Sequence, residues 1–107
     1  MQKGENPIPF VDKTAHDFNQ ATINRVLEVG GVYGLARPIV TRPGWYTILY
    51  VGKSGDIRER LQFHLNNPPA AGITHFFVDR MDGEAMRTLR EKQLIAEFKP
   101  VGNTLLK

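Results

Sequence analysis

The stretch "YVGKSGDIRERL", residues 50–61, decides how this chain is read. Gly52, Lys53 and Ser54 stand in the order that ends a nucleotide phosphate-binding loop. A loop of that kind needs a glycine five residues before the Gly-Lys pair, so that backbone N–H groups can wrap the phosphates, and Thr47 stands there instead. What remains is a short Gly-Lys-Ser-Gly turn with an apolar, strand-like run before it and a basic, helix-like run after it. Asp56 and Glu59 supply a D-x-x-E helix start. Ile57, Leu61 and Leu65 follow at i, i+4 and i+8, and Asn67-Pro68-Pro69 ends the helix.

Upstream, "GVYGLARPIV" (31–40) and "WYTILYV" (45–51) are rich in β-branched and aromatic residues, and Arg42-Pro43-Gly44 between them has turn chemistry. They predict a β-hairpin. Further upstream, Thr14 and Asp17 form a T-x-x-D start for a helix with a partial stripe of Phe18, Ala21, Ile23, Val26 and Leu27, stopped at Gly30-Gly31. The first dozen residues carry two prolines and no periodicity, and read as an arm. Downstream, "ITHFFVDRM" (73–81) predicts a third strand, and Glu84 to Phe98 a helix stopped by Pro100. The expected fold class is α/β: a small three-stranded, largely antiparallel sheet flanked by helices, with an extra N-terminal helix. The expected organisation is an arm over 1–13 and a single domain over 14–107.

Composition narrows the function classes. A chain of 107 residues suits one small core. An apolar share of 41% and a mean hydropathy of -0.32 suit a soluble globular protein, with no run near the ~20 apolar residues of a membrane span. No export leader is apparent, so a cytoplasmic location is the default expectation. The absence of cysteine excludes disulfides, thiolate nucleophiles and thiolate metal sites. Lys and Arg outnumber Asp and Glu by 14 to 11, which mildly favours a polyanionic partner. Ser54, the only serine, lacks the final glycine of a G-x-S-x-G elbow, and His16, His64 and His75 show no zinc-peptidase spacing.

Several side chains stand out against this background. Glu91 lies with Leu94, Ile95 and Phe98 at i, i+3, i+4 and i+7, a carboxylate on a core-type helix face. It either reaches solvent from the edge of that stripe or is held at a partly dry site to bind a hard cation. Arg60 and His64, four apart, are neighbours beside the Ile57-Leu61-Leu65 stripe, whereas Arg58 and Glu59 read as ordinary solvated charges. Tyr33 and Tyr50 fall near one end of the sheet, where packing is the ordinary role of a strand tyrosine.

Taken jointly, "GVY" at 31–33, "YVG" at 50–52, Lys53, Arg60, His64, Glu91 and Asn103 resemble the GIY-YIG nuclease family, over about residues 31–103. That family includes intron-homing endonucleases, restriction enzymes, structure-selective endonucleases and the incision domain of bacterial nucleotide-excision repair. Val32 and Val51 replace the motif isoleucines, Gly102 stands where many relatives have an aromatic residue, and the interval from Tyr33 to Tyr50 exceeds the compact hairpin common in the family.

The resemblance implies a metal-dependent DNA endonuclease. Tyr33, Tyr50, Arg60, His64 and Glu91 would be the catalytic residues, with Tyr33 or His64 as the base. Glu91 would be the ligand for one Mg²⁺ or Mn²⁺, and Gly52, Lys53 and Asn103 would contact substrate. Tyr33, Tyr50, Arg60 and Glu91 are expected on one concave face, with Gly52 and Gly55 letting the backbone approach the DNA. The resemblance leaves room for a homo-oligomer or a partner subunit that supplies specificity. A non-catalytic nucleic-acid-binding or adaptor module that retains the fold is the alternative.

Overall fold

The structure is a computed structural model, and it describes residue 10 and residues 14–104. The elements run β1 (His16–Asp17), α1 (Gln20–Ile23), β2 (Gly31–Pro38), β3 (Tyr46–Ser54), α2 (Ile57–Asn66), β4 (His75–Arg80), α3 (Glu84–Phe98) and α4 (Val101–Thr104). The strands form one antiparallel sheet in the order β1-β4-β2-β3, so β3 is an edge strand.

Among the described residues the sheet has four strands rather than the expected three, and the N-terminal helix is much shorter than expected. The T-x-x-D segment pairs with β4 instead of starting a helix: His16 stands opposite Phe76 and stacks on its ring at 5.2 Å. The backbone N–H of Phe18 continues the pairing by donating to Thr74 O. The helix start moves to Asn19, whose side-chain oxygen accepts from Thr22 N at 2.9 Å, and α1 runs for one turn only. Its buried anchor is Ile23, whereas Leu27, expected on the stripe, is exposed. Of the expected arm, Phe10 is fully buried and stacked on Phe77, over the space left by Gly34. Residues 1–9 and 11–13 lie outside the described residues.

The hairpin, α2 and α3 form where the sequence places them. Asp56 caps α2 by accepting from Glu59 N, and its own N–H donates to Ser54 Oγ. Ile57 and Leu61 are fully buried, each contributing about 1.5–3 kcal/mol of apolar burial. α3 ends at Lys99, in the left-handed conformation at φ 45°, and fully buried Pro100 separates it from α4.

The core divides between the two faces of the sheet. Tyr33, Leu35, Phe76, Ile23, Ile57 and Leu61 form one cluster under α1 and α2. Val32, Ala36, Ile48, Val51, Phe77, Phe10 and Leu94 form the other under α3. One irregularity in the β2–β3 ladder matters for the site. Leu35 pairs with Tyr50 but Ala36 pairs with Ile48, leaving Leu49 as the extra residue of a bulge. Simple alternation would put Ile48 and Tyr50 on the same face. The bulge sends Ile48 to the α3 layer and turns Tyr50 to the α2 layer beside Tyr33.

Candidate active site

Tyr33 and His64 form the centre of the site. Tyr33 projects from β2 beneath α2, and its hydroxyl lies 2.8 Å from Nε2 of His64. His64 is only 3% exposed, a buried side chain of α2 rather than a solvated one. Its Nδ1 is buried beside the Asn67 backbone without a hydrogen bond of normal geometry. Burial, and then the Arg60 charge, depress the His64 pKa to about 4, so the imidazole is neutral at physiological pH. Tyr50 completes an aromatic trio, its ring centroid 6.3 Å from Tyr33 and 5.0 Å from His64.

Gly52 explains how the trio fits. A Cβ at this position would stand 2.4 Å from the Tyr33 hydroxyl oxygen and 2.5 Å from its ring. The glycine therefore makes room for Tyr33, not for an approaching DNA backbone, which corrects the reading of this residue. Gly55, with nothing within 4 Å of a notional Cβ, keeps the open surface expected of it.

The charged groups surround this trio from both layers. Arg60 is exposed on α2, with its guanidinium 4.6 Å over the Phe63 ring, and it favours the ionised forms of both tyrosines. Burial outweighs it and pushes both hydroxyls above the usual tyrosine range, with Tyr50 adding to the effect at Tyr33. Glu91 is half-buried on α3, where burial raises its carboxyl and Lys53 opposes the rise. Its charge bears on both tyrosine hydroxyls. The tyrosines lie under α2 and Glu91 stands on α3, whose Leu94 packs in the other cluster, and from there the Glu91 charge reaches both tyrosine hydroxyls alongside that of Arg60.

Lys53 and Asn103 are already engaged. Lys53 is ion-paired with Glu84 in the first turn of α3, and that bond raises the lysine and lowers the carboxylate. Glu84 also meets Arg87 and Thr88. No local pattern in the sequence joins Glu84 to Lys53, because only the packing of α3 against β3 brings them together. Asn103 clamps the outer edge of β3: its side-chain oxygen accepts from Val51 N at 2.8 Å and its amide donates to Val51 O at 2.9 Å. Gly102 permits this approach, since a Cβ there would lie 2.6 Å from Leu49 O. Arg58, read as a solvated charge, instead donates to Val26 O at 2.7 Å and pairs with Glu28.

The donor set for a cation is sparse. Among the described residues no group of three or more His, Asp or Glu side chains is arranged to hold a metal. Glu91 is a half-buried carboxylate beside the trio, which fits a Mg²⁺-type site where one carboxylate suffices and water and phosphate oxygens fill the shell. Among the described residues, no helix is long and apolar enough to cross a membrane.

The antiparallel sheet, its hairpin and the helices on both faces have the general class of fold that the resemblance to the GIY-YIG family implies. Comparison with solved structures agrees: the chain is similar to the GIY-YIG N-terminal endonuclease domain of UvrC from Thermotoga maritima. An asparagine-to-alanine point mutant of that domain, bound to its catalytic divalent cation, matches at 20% identity with a TM-score of 0.61, covering 77% of this chain and 90% of that one. The magnesium-bound domain matches at 18% identity with a TM-score of 0.56, covering 77% and 91%. A tyrosine-to-phenylalanine mutant of the domain, also cation-bound, matches at 18% identity and a TM-score of 0.56, covering 77% and 90%. No protein-family model and no curated protein sequence matches the chain.

Proposed function

We propose that this chain is a metal-dependent endonuclease that hydrolyses phosphodiester bonds in DNA. The observation that carries the proposal is the buried Tyr33–His64 hydrogen bond with the Arg60 and Glu91 charges bearing on the tyrosine from opposite layers. The solved UvrC domains, which bind a catalytic divalent cation, support the reading at the level of the fold.

Phosphodiester hydrolysis needs a proton acceptor for the attacking water and positive charge for the phosphate. Tyr33 is protonated at neutral pH because burial raises its pKa, so it cannot begin as a free phenolate. The neutral His64 resolves this. Tyr33 accepts a proton from water at its oxygen while its own proton passes to His64 Nε2, and the two residues act as one base. Arg60 favours the phenolate character Tyr33 takes on as its proton leaves for His64, opposes lasting charge on His64 so that the proton is passed on, and offers a planar fork to phosphate oxygens. Glu91 would hold one Mg²⁺ or Mn²⁺, which when bound supplies Lewis-acid polarisation of the phosphate. Tyr50 packs beside Tyr33 and His64 and fixes their geometry. Lys53 contacts phosphate once DNA competes with Glu84 for its ammonium group. Asn103 supports substrate indirectly, by holding the β3 backbone from which Tyr50 and Lys53 project.

The Lys53–Glu84 pair also favours a second reading, a DNA-binding module without cleavage, because it neutralises one of the two expected phosphate-binding cations. Incubation with supercoiled, nicked, flapped and branched DNA, in Mg²⁺ or in EDTA, separates the two. Mg²⁺-dependent cleavage of any of these supports the endonuclease. Binding without cleavage supports the module, and neither binding nor cleavage defeats both.

A further inference from the structure

The β2–β3 hairpin extends past the site and ends in a tip that the chemistry above does not use. From Val29 to Gly55 the sequence contains no Asp or Glu, and its charges are Arg37, Arg42 and Lys53. Lys53 has its partner in Glu84, and the two arginines, both exposed, make no ion pair with a described residue. The tip is well formed. Ile39 N donates to Trp45 O at 2.8 Å, Arg42 N to Ile39 O at 3.0 Å and Trp45 N to Arg42 O at 2.9 Å, with Gly44 at φ 87° completing the turn.

On this frame the Arg42 guanidinium is held 3.8 Å from the centroid of the Trp45 ring, and Val40 stands 92% exposed between the two arginines. Arg37, Val40 and Thr47 also border an open groove of about 480 Å³. An ordered, exposed tip with two unneutralised guanidinium groups is complementary to a polyanion, and an arginine stacked on tryptophan keeps all its N–H donors available at its rim.

We propose that the hairpin tip is a second DNA contact, in which Arg37 and Arg42 grip backbone phosphates of the duplex being cut and Val40 lies against the adjoining sugars. The proposal rests on the endonuclease reading and deepens it by fixing where the duplex must extend. Val40 lies seven residues beyond Tyr33, at most about 23 Å at ~3.3 Å per residue of extended chain. At ~3.4 Å per phosphate along one strand, the tip meets DNA within about seven base pairs of the cleaved bond. The substrate is therefore duplex on at least that side, extending from the site towards the hairpin tip.

The test compares Glu91→Ala with the triple variant Glu91→Ala/Arg37→Ala/Arg42→Ala, both unable to cut on this account, in binding a synthetic duplex from 50 to 200 mM salt. Loss of two phosphate contacts should reduce the slope of log affinity against log salt by about 1–2. Shortening the duplex to under about seven base pairs on one side should weaken Glu91→Ala and leave the triple variant unchanged. Arg42→Lys, which keeps charge but loses the stacked fork, should fall between them. Equal slopes and equal length dependence overturn the hairpin contact while leaving the endonuclease reading standing. Failure of wild-type protein to bind or cut any DNA overturns both.

Discussion

The hydroxyl of Tyr33 on β2 and Nε2 of His64 on α2, 31 residues apart in sequence, meet at 2.8 Å inside the protein because Gly52 on the neighbouring strand has no side chain to fill that space. Three elements thus fix one hydrogen bond. The pair is held by packing, so its geometry is sensitive to changes of a single carbon atom.

Gly52→Ala should therefore act as an active-site mutation despite removing no functional group. The added methyl must displace the Tyr33 ring, costing about 1–3 kcal/mol and breaking the contact with His64. Cleavage should fall steeply while the circular dichroism spectrum stays native, and Gly55→Ala should change neither. Wild-type cleavage by Gly52→Ala would show that the position of Tyr33 is unimportant.

The burial of neutral His64 predicts a pH dependence of stability in metal-free protein. Its folded pKa, about 4, lies below the value near 6.5 of an unfolded chain, so between these pH values the unfolded state binds more protons. The contribution is fully present above about pH 6.5 and is lost as pH falls through 4, by roughly 3 kcal/mol at most. Urea unfolding at successive pH values in EDTA measures it. In His64→Phe that part of the decline should vanish, and an unchanged pH profile would contradict the assignment.

Arg60 and Arg58 are two residues apart on α2 and should respond oppositely to lysine. Arg60→Lys keeps charge but not the planar fork, and should lower turnover roughly tenfold or more with little change in stability. Arg58→Lys loses the bond to Val26 O, and should cost about 1 kcal/mol of stability with turnover per folded molecule unchanged. Lys92→Arg, on the exposed side of α3, is the silent control. Equal turnover in all three variants would remove Arg60 from the mechanism.

Asn103 tests structural support against direct substrate contact. Asn103→Ala leaves two groups of the β3 edge without their partner and should destabilise the fold by about 1–2 kcal/mol. DNA affinity of the folded protein should hold. A loss of affinity without a loss of stability would return Asn103 to the substrate.

Much of this architecture was legible in the sequence. The α2 stripe with its Asp56 cap, the long α3 and the β-branched hairpin each depend on neighbouring residues, and local patterns place them correctly. The failures depend on long-range pairing. A two-residue strand such as β1 is defined only by its partner on β4, and T-x-x-D at Thr14 is too short to outweigh the Asn19 cap. The bulge at Leu49 reverses the alternation that would have set Tyr50 on the Ile48 face. In the same way Gly52 reads as a loop glycine until Tyr33 is seen to fill its space, and the Lys53–Glu84 pair appears only when α3 packs on β3. The site residues are visible as a set, whereas the division of the site between two layers is not.

The most direct test of the central claim compares wild-type protein with Glu91→Ala on one susceptible DNA, reading cleavage in Mg²⁺ and equilibrium binding in EDTA. The account predicts that Glu91→Ala loses cleavage by orders of magnitude while binding nearly as well as wild type, because phosphate contacts carry affinity and the carboxylate serves the transition state. Cleavage by Glu91→Ala at the wild-type rate, or wild-type cleavage that persists in EDTA, would contradict it.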